Sequence, residues 1–163
     1  MSDATFGAEL LMPEGSLFAG PATAVMCRTS DGDLTVLDGH TPLVGDVTPG
    51  VVRIERPGEA TQDAFVVHGG FLQVATAKGA AAGLVEGDAT ARTTRVTLLV
   101  GIAERVSDVD VARAQAARER ASAELSSLGS GDDDEARVAR EQAERALARA
   151  ELRLEAAGGT APQ

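Results

Sequence analysis

Apolar and polar residues alternate along six short segments in the first hundred residues, the pattern of β-strands in a sheet with one buried face. The predicted strands are residues 22–27, 34–37, 51–54, 65–67, 71–74 and 96–100. Turn-forming dipeptides such as Asp31-Gly32 and Pro49-Gly50 separate them at about ten-residue spacing, which is typical of a β-sandwich or barrel. Because no helix-length segment interrupts the strands, a parallel α/β sheet is not expected.

One stretch of this region is too long for an ordinary turn. Residues 78–94 are rich in Gly and Ala and lie between two predicted strands. Connections of this length without secondary structure are uncommon in compact domains. We therefore predict a surface insertion near residues 78–94.

The pattern changes after residue 103. Residues 104–157 contain no Pro and no aromatic residue, and consist mostly of Ala, Arg, Glu and Leu, which favour helices. Two helices are predicted, at 107–128 and 132–157, with Ser107 and Asp110 as a capping box, Gly129 as a stop and an acidic start at 132–135. The fold class is therefore an N-terminal antiparallel β-sandwich (residues 1–103) followed by a C-terminal antiparallel two-helix hairpin with a short flexible tail (residues 104–163).

Small residues line the predicted contact between the two helices. The stripes are Ala114, Ala117, Ala121, Leu125 and Leu128 on the first helix, and Ala136, Ala139, Ala143, Ala146, Ala150, Leu154 and Ala157 on the second. At about 0.8 kcal/mol per buried CH₂, a buried alanine contributes about a third of the hydrophobic stabilisation that a buried leucine contributes. The stripes reflect either a general preference for Ala in this chain or a hairpin that packs in one state and separates in another.

Arginines collect on the same helices. Arg149 has arginines four residues away on both sides and no acid three residues away, an unfavourable pattern within a helix. An antiparallel turn about Gly131 would bring residue 113 level with residue 149. Arg113, Arg120, Arg149 and Arg153 would then gather near Asp110, a combination suited to a nucleoside triphosphate. A solvated face with salt bridges between the helices is the alternative.

Charge and composition exclude several classes of function. The net charge of −10 opposes binding to nucleic acid or to an anionic lipid surface. The chain has no apolar run long enough to cross a bilayer and no recognisable signal peptide, so we expect a soluble intracellular protein. One cysteine and two histidines, His40 and His68, do not make a zinc site or a cupin-like metal site, and no phosphate-binding loop or catalytic triad is present. We predict neither a catalytic residue nor a metal site.

Several motifs occur in an order and spacing that resemble a known family. They are Met12-Pro13-Glu14-Gly15, Asp31-Gly32-Asp33-Leu34-Thr35-Val36-Leu37, Gly39-His40-Thr41-Pro42-Leu43, Pro49-Gly50, His68-Gly69-Gly70-Phe71-Leu72-Gln73-Val74 and Val96-Thr97-Leu98-Leu99. With a terminal helical hairpin, this set is similar to the epsilon subunit of the bacterial F-type ATP synthase. The resemblance covers nearly the whole chain and implies a sandwich of about ten strands followed by two helices.

The resemblance implies a non-catalytic rotor subunit of the central stalk. The sandwich would bind the gamma subunit and the c-ring, coupling proton-driven rotation to ATP synthesis. The hairpin would lie folded or extend along gamma into transient contact with the alpha/beta head, where it inhibits ATP hydrolysis. Such a protein needs no cofactor, makes no direct membrane insertion, and is held at the cytoplasmic face of the bacterial plasma membrane through its partners.

Some members of that family bind ATP in the folded hairpin through a motif Ile/Leu-Asp-x-x-Arg-Ala. The corresponding residues here are Val109-Asp110-Val111-Ala112-Arg113-Ala114, with Val in place of Ile or Leu. The resemblance therefore implies ATP as a regulatory ligand. Its implied contacts are Glu104, Asp110, Arg113, Arg120, Arg149 and Arg153. The alternative function is an adaptor or chaperone-like protein with a client-binding hairpin.

Overall fold

The computed structural model describes residues 4–78, 92–128 and 134–158 of the 163-residue chain. It divides into two compact units, Met1–Arg105 and Val106–Gln163. The first unit is built of strands and the second of helices. Each unit is described by itself.

The described part of the first unit contains ten β-strands. They are β1 (Phe6–Met12), β2 (Gly15–Ala22), β3 (Ala24–Thr29), β4 (Gly32–Val36), β5 (Leu43–Val47), β6 (Gly50–Glu55), β7 (Gln62–Val67), β8 (Gly70–Lys78), β9 (Arg92–Val100) and β10 (Ala103–Arg105). The strands form two five-stranded sheets, in the orders β2-β1-β9-β8-β5 and β10-β7-β6-β3-β4. The predicted β-sandwich of about ten strands is confirmed.

Among the strands that the structure describes, pairing is antiparallel with one exception. β1 and β9 run parallel, with Ala8 opposite Val96 and Leu10 opposite Leu98. Because these four side chains point between the sheets, they are fully buried. The core they join consists almost entirely of aliphatic and phenylalanine side chains from both sheets. One aromatic pair crosses it: the rings of Phe18 and Phe65 meet edge to face at 6.1 Å.

The six predicted strand segments are found, but the pattern missed other strands. β1, β2, β5 and β10 were not among them, and Ala22 ends β2 instead of starting β3. The alternation pattern did not predict β2 and β5 because Gly and Pro interrupt it there, and it did not predict β10 because that strand has only three residues. β8 and β9 remain paired as far as Lys78 opposite Arg92, so the ends of the predicted 78–94 insertion are strand. Residues 79–91 lie outside the described residues.

The described part of the second unit contains two α-helices, α1 (Val111–Ser127) and α2 (Asp134–Ala157). The predicted start of α1 was wrong, because Ser107 belongs to a short 3-10 turn, Val106–Asp108. The N-cap is Asp110, whose Oδ1 accepts a hydrogen bond from the Arg113 backbone N–H at 2.9 Å. α2 ends at Ala157 as predicted. The predicted stop at Gly129 and start at Asp132 lie outside the described residues.

The predicted alanine stripes are the buried sides of the two helices. Ala114, Ala121, Ala143 and Ala150 are 1–4% exposed, and every other residue of the stripes is half-buried. On each helix the two buried alanines are seven residues apart, which is two turns. The level of residue 113 with residue 149 stays a prediction.

Candidate functional site

The six predicted nucleotide contacts are divided between the two units. Glu104 is a half-buried residue of β10 in the sandwich unit, opposite Val66 on β7. The other five belong to the helical unit. Asp110 is the exposed N-cap of α1, Arg113 and Arg120 are exposed on α1, and Arg149 and Arg153 are half-buried on α2.

The four arginines share one side of the hairpin. Arg113, Arg120 and Arg149 each directly precede a buried alanine, and Arg153 follows Ala150 by three residues. Since successive residues of an α-helix turn by about 100°, these positions lie on the same flank of the buried stripe in each helix. Antiparallel packing brings the two flanks to one face. We call Arg113, Arg120, Arg149 and Arg153 the arginine face.

Three members of the arginine face carry a charge that no ion pair among the described residues compensates. In the described part of the chain, the side chains of Arg113, Arg120 and Arg149 form neither a hydrogen bond nor an ion pair, whereas Arg153 has a partner of its own. By contrast, Arg137 and Arg145 of α2 pair with acids of their own helix at 3.0 and 3.6 Å. Guanidinium groups held on one face can bind several phosphate oxygens of one ligand.

The opposite face of the hairpin has a feature that the sequence analysis missed. An open groove of about 550 Å³ runs between the helices and is lined by Arg118, Glu119, Ser122, Ala123, Ser126, Leu147 and Glu151. It contains none of the predicted contacts, and its acids outnumber its single arginine. The spacing of Ser122 and Ser126 beside the stripe of small residues was the available signal. The arginine face, not this groove, has the charge that suits a polyphosphate.

The sandwich unit presents an apolar surface on the outer side of its first sheet. Phe71, Leu99 and Val44 are 62%, 51% and 74% exposed. Leu99 lies directly opposite Phe71 on one side and the half-buried Leu11 on the other. Val44 lies on the next strand, opposite Gln73. We call Phe71, Leu99, Val44 and Leu11 the apolar patch; its outward apolar positions in β8 and β9 were visible in the sequence.

Neither a metal site nor a membrane span is found among the described residues. No group of three or more His, Cys, Asp or Glu side chains converges as metal ligands within them. No helix within the described ranges is long and apolar enough to cross a bilayer.

Both units match domains of one protein family. Residues 5–78 match the β-sandwich domain of the ATP synthase delta/epsilon chain, and residues 107–158 match its long alpha-helix domain. The chain is 39% identical to the ATP synthase epsilon chain of Desulforudis audaxviator over 77% of each chain. It is 34% identical to that of Halalkalibacterium halodurans over 94% of this chain and 98% of the relative.

A solved structure agrees with these matches. The fold is similar to a chain in the cryo-EM structure of the Euglena gracilis mitochondrial ATP synthase, OSCP/F1/c-ring in rotational state 1, with a TM-score of 0.67 and 26% identity. The alignment covers 94% of this chain and 81% of that one. A sandwich followed by two long helices, matched in this order, defines a non-catalytic subunit of the ATP synthase rotor stalk. The chain belongs to the ATP synthase delta/epsilon chain family, as its resemblance to the epsilon subunit predicted.

Proposed function

We propose that this chain couples rotation of the c-ring to ATP synthesis by binding the gamma subunit through the apolar patch. The sandwich would rest on the c-ring, and the hairpin would regulate ATP hydrolysis through transient contact with the alpha/beta head. The sandwich (residues 1–103) and the hairpin (residues 104–163) would thus have separate tasks. The coupling complex would hold the chain peripherally at the cytoplasmic face of the bacterial plasma membrane.

The apolar patch is the observation that carries this proposal. On most outward positions of a sandwich, polar residues keep contact with water, but here two large side chains, Phe71 and Leu99, face each other across strands and are mostly exposed. Clustered exposed apolar side chains commonly mark protein interaction sites. Phe71 also has the size and shape of a residue that contributes strongly to binding.

Binding to purified gamma subunit tests the patch. Phe71→Ser should weaken the complex by at least tenfold, because truncating a central aromatic contact commonly costs more than about 1.4 kcal/mol. Leu37→Ser is the matched control, since Leu37 is 54% exposed but lies just after β4 in the second sheet. Equal affinities of the two variants would contradict binding through the patch. Absence of a complex with the wild-type chain would instead favour the adaptor or chaperone-like function.

We further propose that the arginine face binds ATP as a regulatory ligand. Arg113, Arg149 and Arg153 supply guanidinium groups for the phosphates, and Arg120 lies farther along the same face. Asp110 uses Oδ1 to cap α1, which leaves its second oxygen for the nucleoside. Glu104, which lies before the helical unit, is the remaining contact carried over from the family resemblance. The absence of ion pairs for three of the four arginines, within the described residues, supports this proposal.

Calorimetric titration with ATP and with ADP tests the arginine face. We expect tighter binding of ATP, because its third phosphate adds charge for the same guanidinium groups. Arg113→Ala should weaken ATP binding by about tenfold or more, as expected for loss of a charge-assisted hydrogen bond. Arg118→Ala is the matched control, since it removes an exposed arginine of the same helix from the opposite face. Equal losses in the two variants would show only a general charge effect.

A further inference from the structure

We propose that Arg105 anchors the last strand of the sandwich and thereby fixes the point from which the helical unit moves. The contacts of Arg105 are the basis for its role in holding β10. A role in regulation rests in addition on the proposed movement of the hairpin. Arg105 is the final residue of β10 and of the first compact unit. Arg105 is a positioning residue, because it would act through the strand that it holds.

Strand β10 needs such an anchor. It has only three residues and lies at the edge of the second sheet, where it pairs with β7 alone. Its three residues are all half-buried, so little apolar surface holds it in place. A short edge strand of this kind frays easily when side-chain contacts do not retain it.

Arg105 makes three separate contacts with the sandwich. Its Nη1 donates to Asp63 Oδ1 at 2.8 Å, and its Nη2 donates to the Leu17 carbonyl at 3.4 Å. Its guanidinium group lies 5.0 Å from the ring centroid of Phe65, the residue directly opposite it on β7. Because Phe65 is fully buried, the arginine rests on a fixed part of the core. The side chain therefore ties β10 to both sheets.

The partner carboxylate is itself held in place. The Asp63 side chain is 15% exposed, and its second oxygen lies 2.8 Å from Arg56 Nε in an ion pair. Arg56 also pairs with Glu59 at 2.7 Å. A carboxylate that is already oriented loses little freedom when Arg105 binds it, so this ion pair is better placed to stabilise the strand than an isolated surface pair.

The segment after Arg105 is short. It consists of the turn Val106–Asp108, closed by a hydrogen bond from the Val109 N–H to the Val106 carbonyl at 3.3 Å, and of the N-cap Asp110. Five residues therefore separate the anchored strand from the first residue of α1. We call residues 106–110 the hinge segment. If β10 frays, its three residues join the hinge and lengthen it by about 10 Å when extended.

Hydrogen exchange of the isolated chain tests the anchor. Arg105→Ala should lower the protection of the β10 amides by about tenfold, as expected for loss of a charge-assisted hydrogen bond. Arg95→Ala is the matched control: Arg95 also pairs with a half-buried acid, Glu9, at 2.9 Å, but lies on β9. Arg105→Lys should retain part of the protection through Asp63. Unchanged protection of β10 in a folded Arg105→Ala chain would overturn the proposal.

A distance measurement tests the hinge independently of the anchor. Spin labels attached through Thr35→Cys and Ala148→Cys, two exposed positions, report the distribution of distances between the two units. The distribution should broaden in Arg105→Ala and stay unchanged in Arg95→Ala. Loss of β10 protection without broadening would overturn the role of Arg105 in movement. Neither experiment needs the gamma subunit or ATP, so failure here is distinguishable from failure of the proposed function.

Discussion

The alanine contact between the helices is weak, so removing one buried methyl group should measurably ease opening of the hairpin. Ala143 is 1% exposed and faces α1, whereas Ala148 is exposed on the same helix. Replacing either by Gly costs about 1 kcal/mol in helix propensity. Only Ala143→Gly also removes a buried methyl, which adds about 0.8 kcal/mol. Opening of the hairpin should therefore become about 20-fold easier in Ala143→Gly and about fivefold easier in Ala148→Gly.

Hydrogen exchange of the α1 amides measures this difference without any change in the sequence of α1. Protection of the α1 amides should be about fourfold lower in Ala143→Gly than in Ala148→Gly. Protection of the sandwich amides should be unchanged in both variants. Equal loss of α1 protection in both variants would refute the claim that the alanine stripes hold the hairpin. Protection of α1 as deep as that of the sandwich core would refute a readily separated hairpin.

Three further predictions concern single positions. Gly70→Ala should destabilise the sandwich by about 1–3 kcal/mol, because its Cβ would overlap the Leu99 carbonyl oxygen. The control Gly45→Ala has its nearest contact at 3.7 Å and should change stability by less than about 0.5 kcal/mol. Urea unfolding measures both free energies. Burial raises the pKa of Cys27 from 9.0 to about 11. The folded thiol should therefore resist thiol reagents, and stability should fall as pH rises from 9 to 11, because the unfolded thiol ionises first; Cys27→Ala should lack that dependence. Asp110→Ala should cost about 1 kcal/mol of stability of α1, measured by thermal melting, while Asp110→Asn should retain the cap.

The sandwich was predictable where alternation was regular. Residues 96–100 of β9 alternate between buried and outward positions, whereas residues 65–67 of β7 are three apolar residues that are all buried. β2 includes Gly15, Gly20 and Pro21, which local propensity assigns to turns, and pairing with β1 overrides that preference. The parallel pairing of β1 with β9 had no local signal, because it joins segments that are more than eighty residues apart.

The start of α1 shows why capping motifs mislead by a few residues. Ser107 and Asp110 satisfy the spacing of a capping box, but both are residue types that form caps. The chain uses Asp110, whose side chain binds the Arg113 backbone N–H, and leaves Ser107 in the preceding turn with its hydroxyl 3.1 Å from Asp108 Oδ1. Sequence spacing identified the group of candidates, and backbone geometry selected between them.

The arginine face was predictable because helices impose a fixed angle per residue. Arg113 and Arg149 could be assigned to one face from spacing alone. The groove on the other face depends on side chains of both helices, including Leu147 and Glu151, so the spacing of Ser122 and Ser126 on α1 was only a partial signal. The contacts of Arg105 likewise join residues of β2, β7 and β10, which only the folded sandwich brings together.

Restoration of ATP synthesis tests the proposed stalk function most directly. Inverted membrane vesicles from cells that lack this chain, energised by a proton gradient, should make ATP poorly and recover when the purified chain is added. Leu37→Ser should restore synthesis as wild type does, whereas Phe71→Ser should require at least about tenfold more protein, because its contact with gamma is weakened. Equal rates of ATP synthesis with and without the chain would contradict its role in coupling rotation to synthesis.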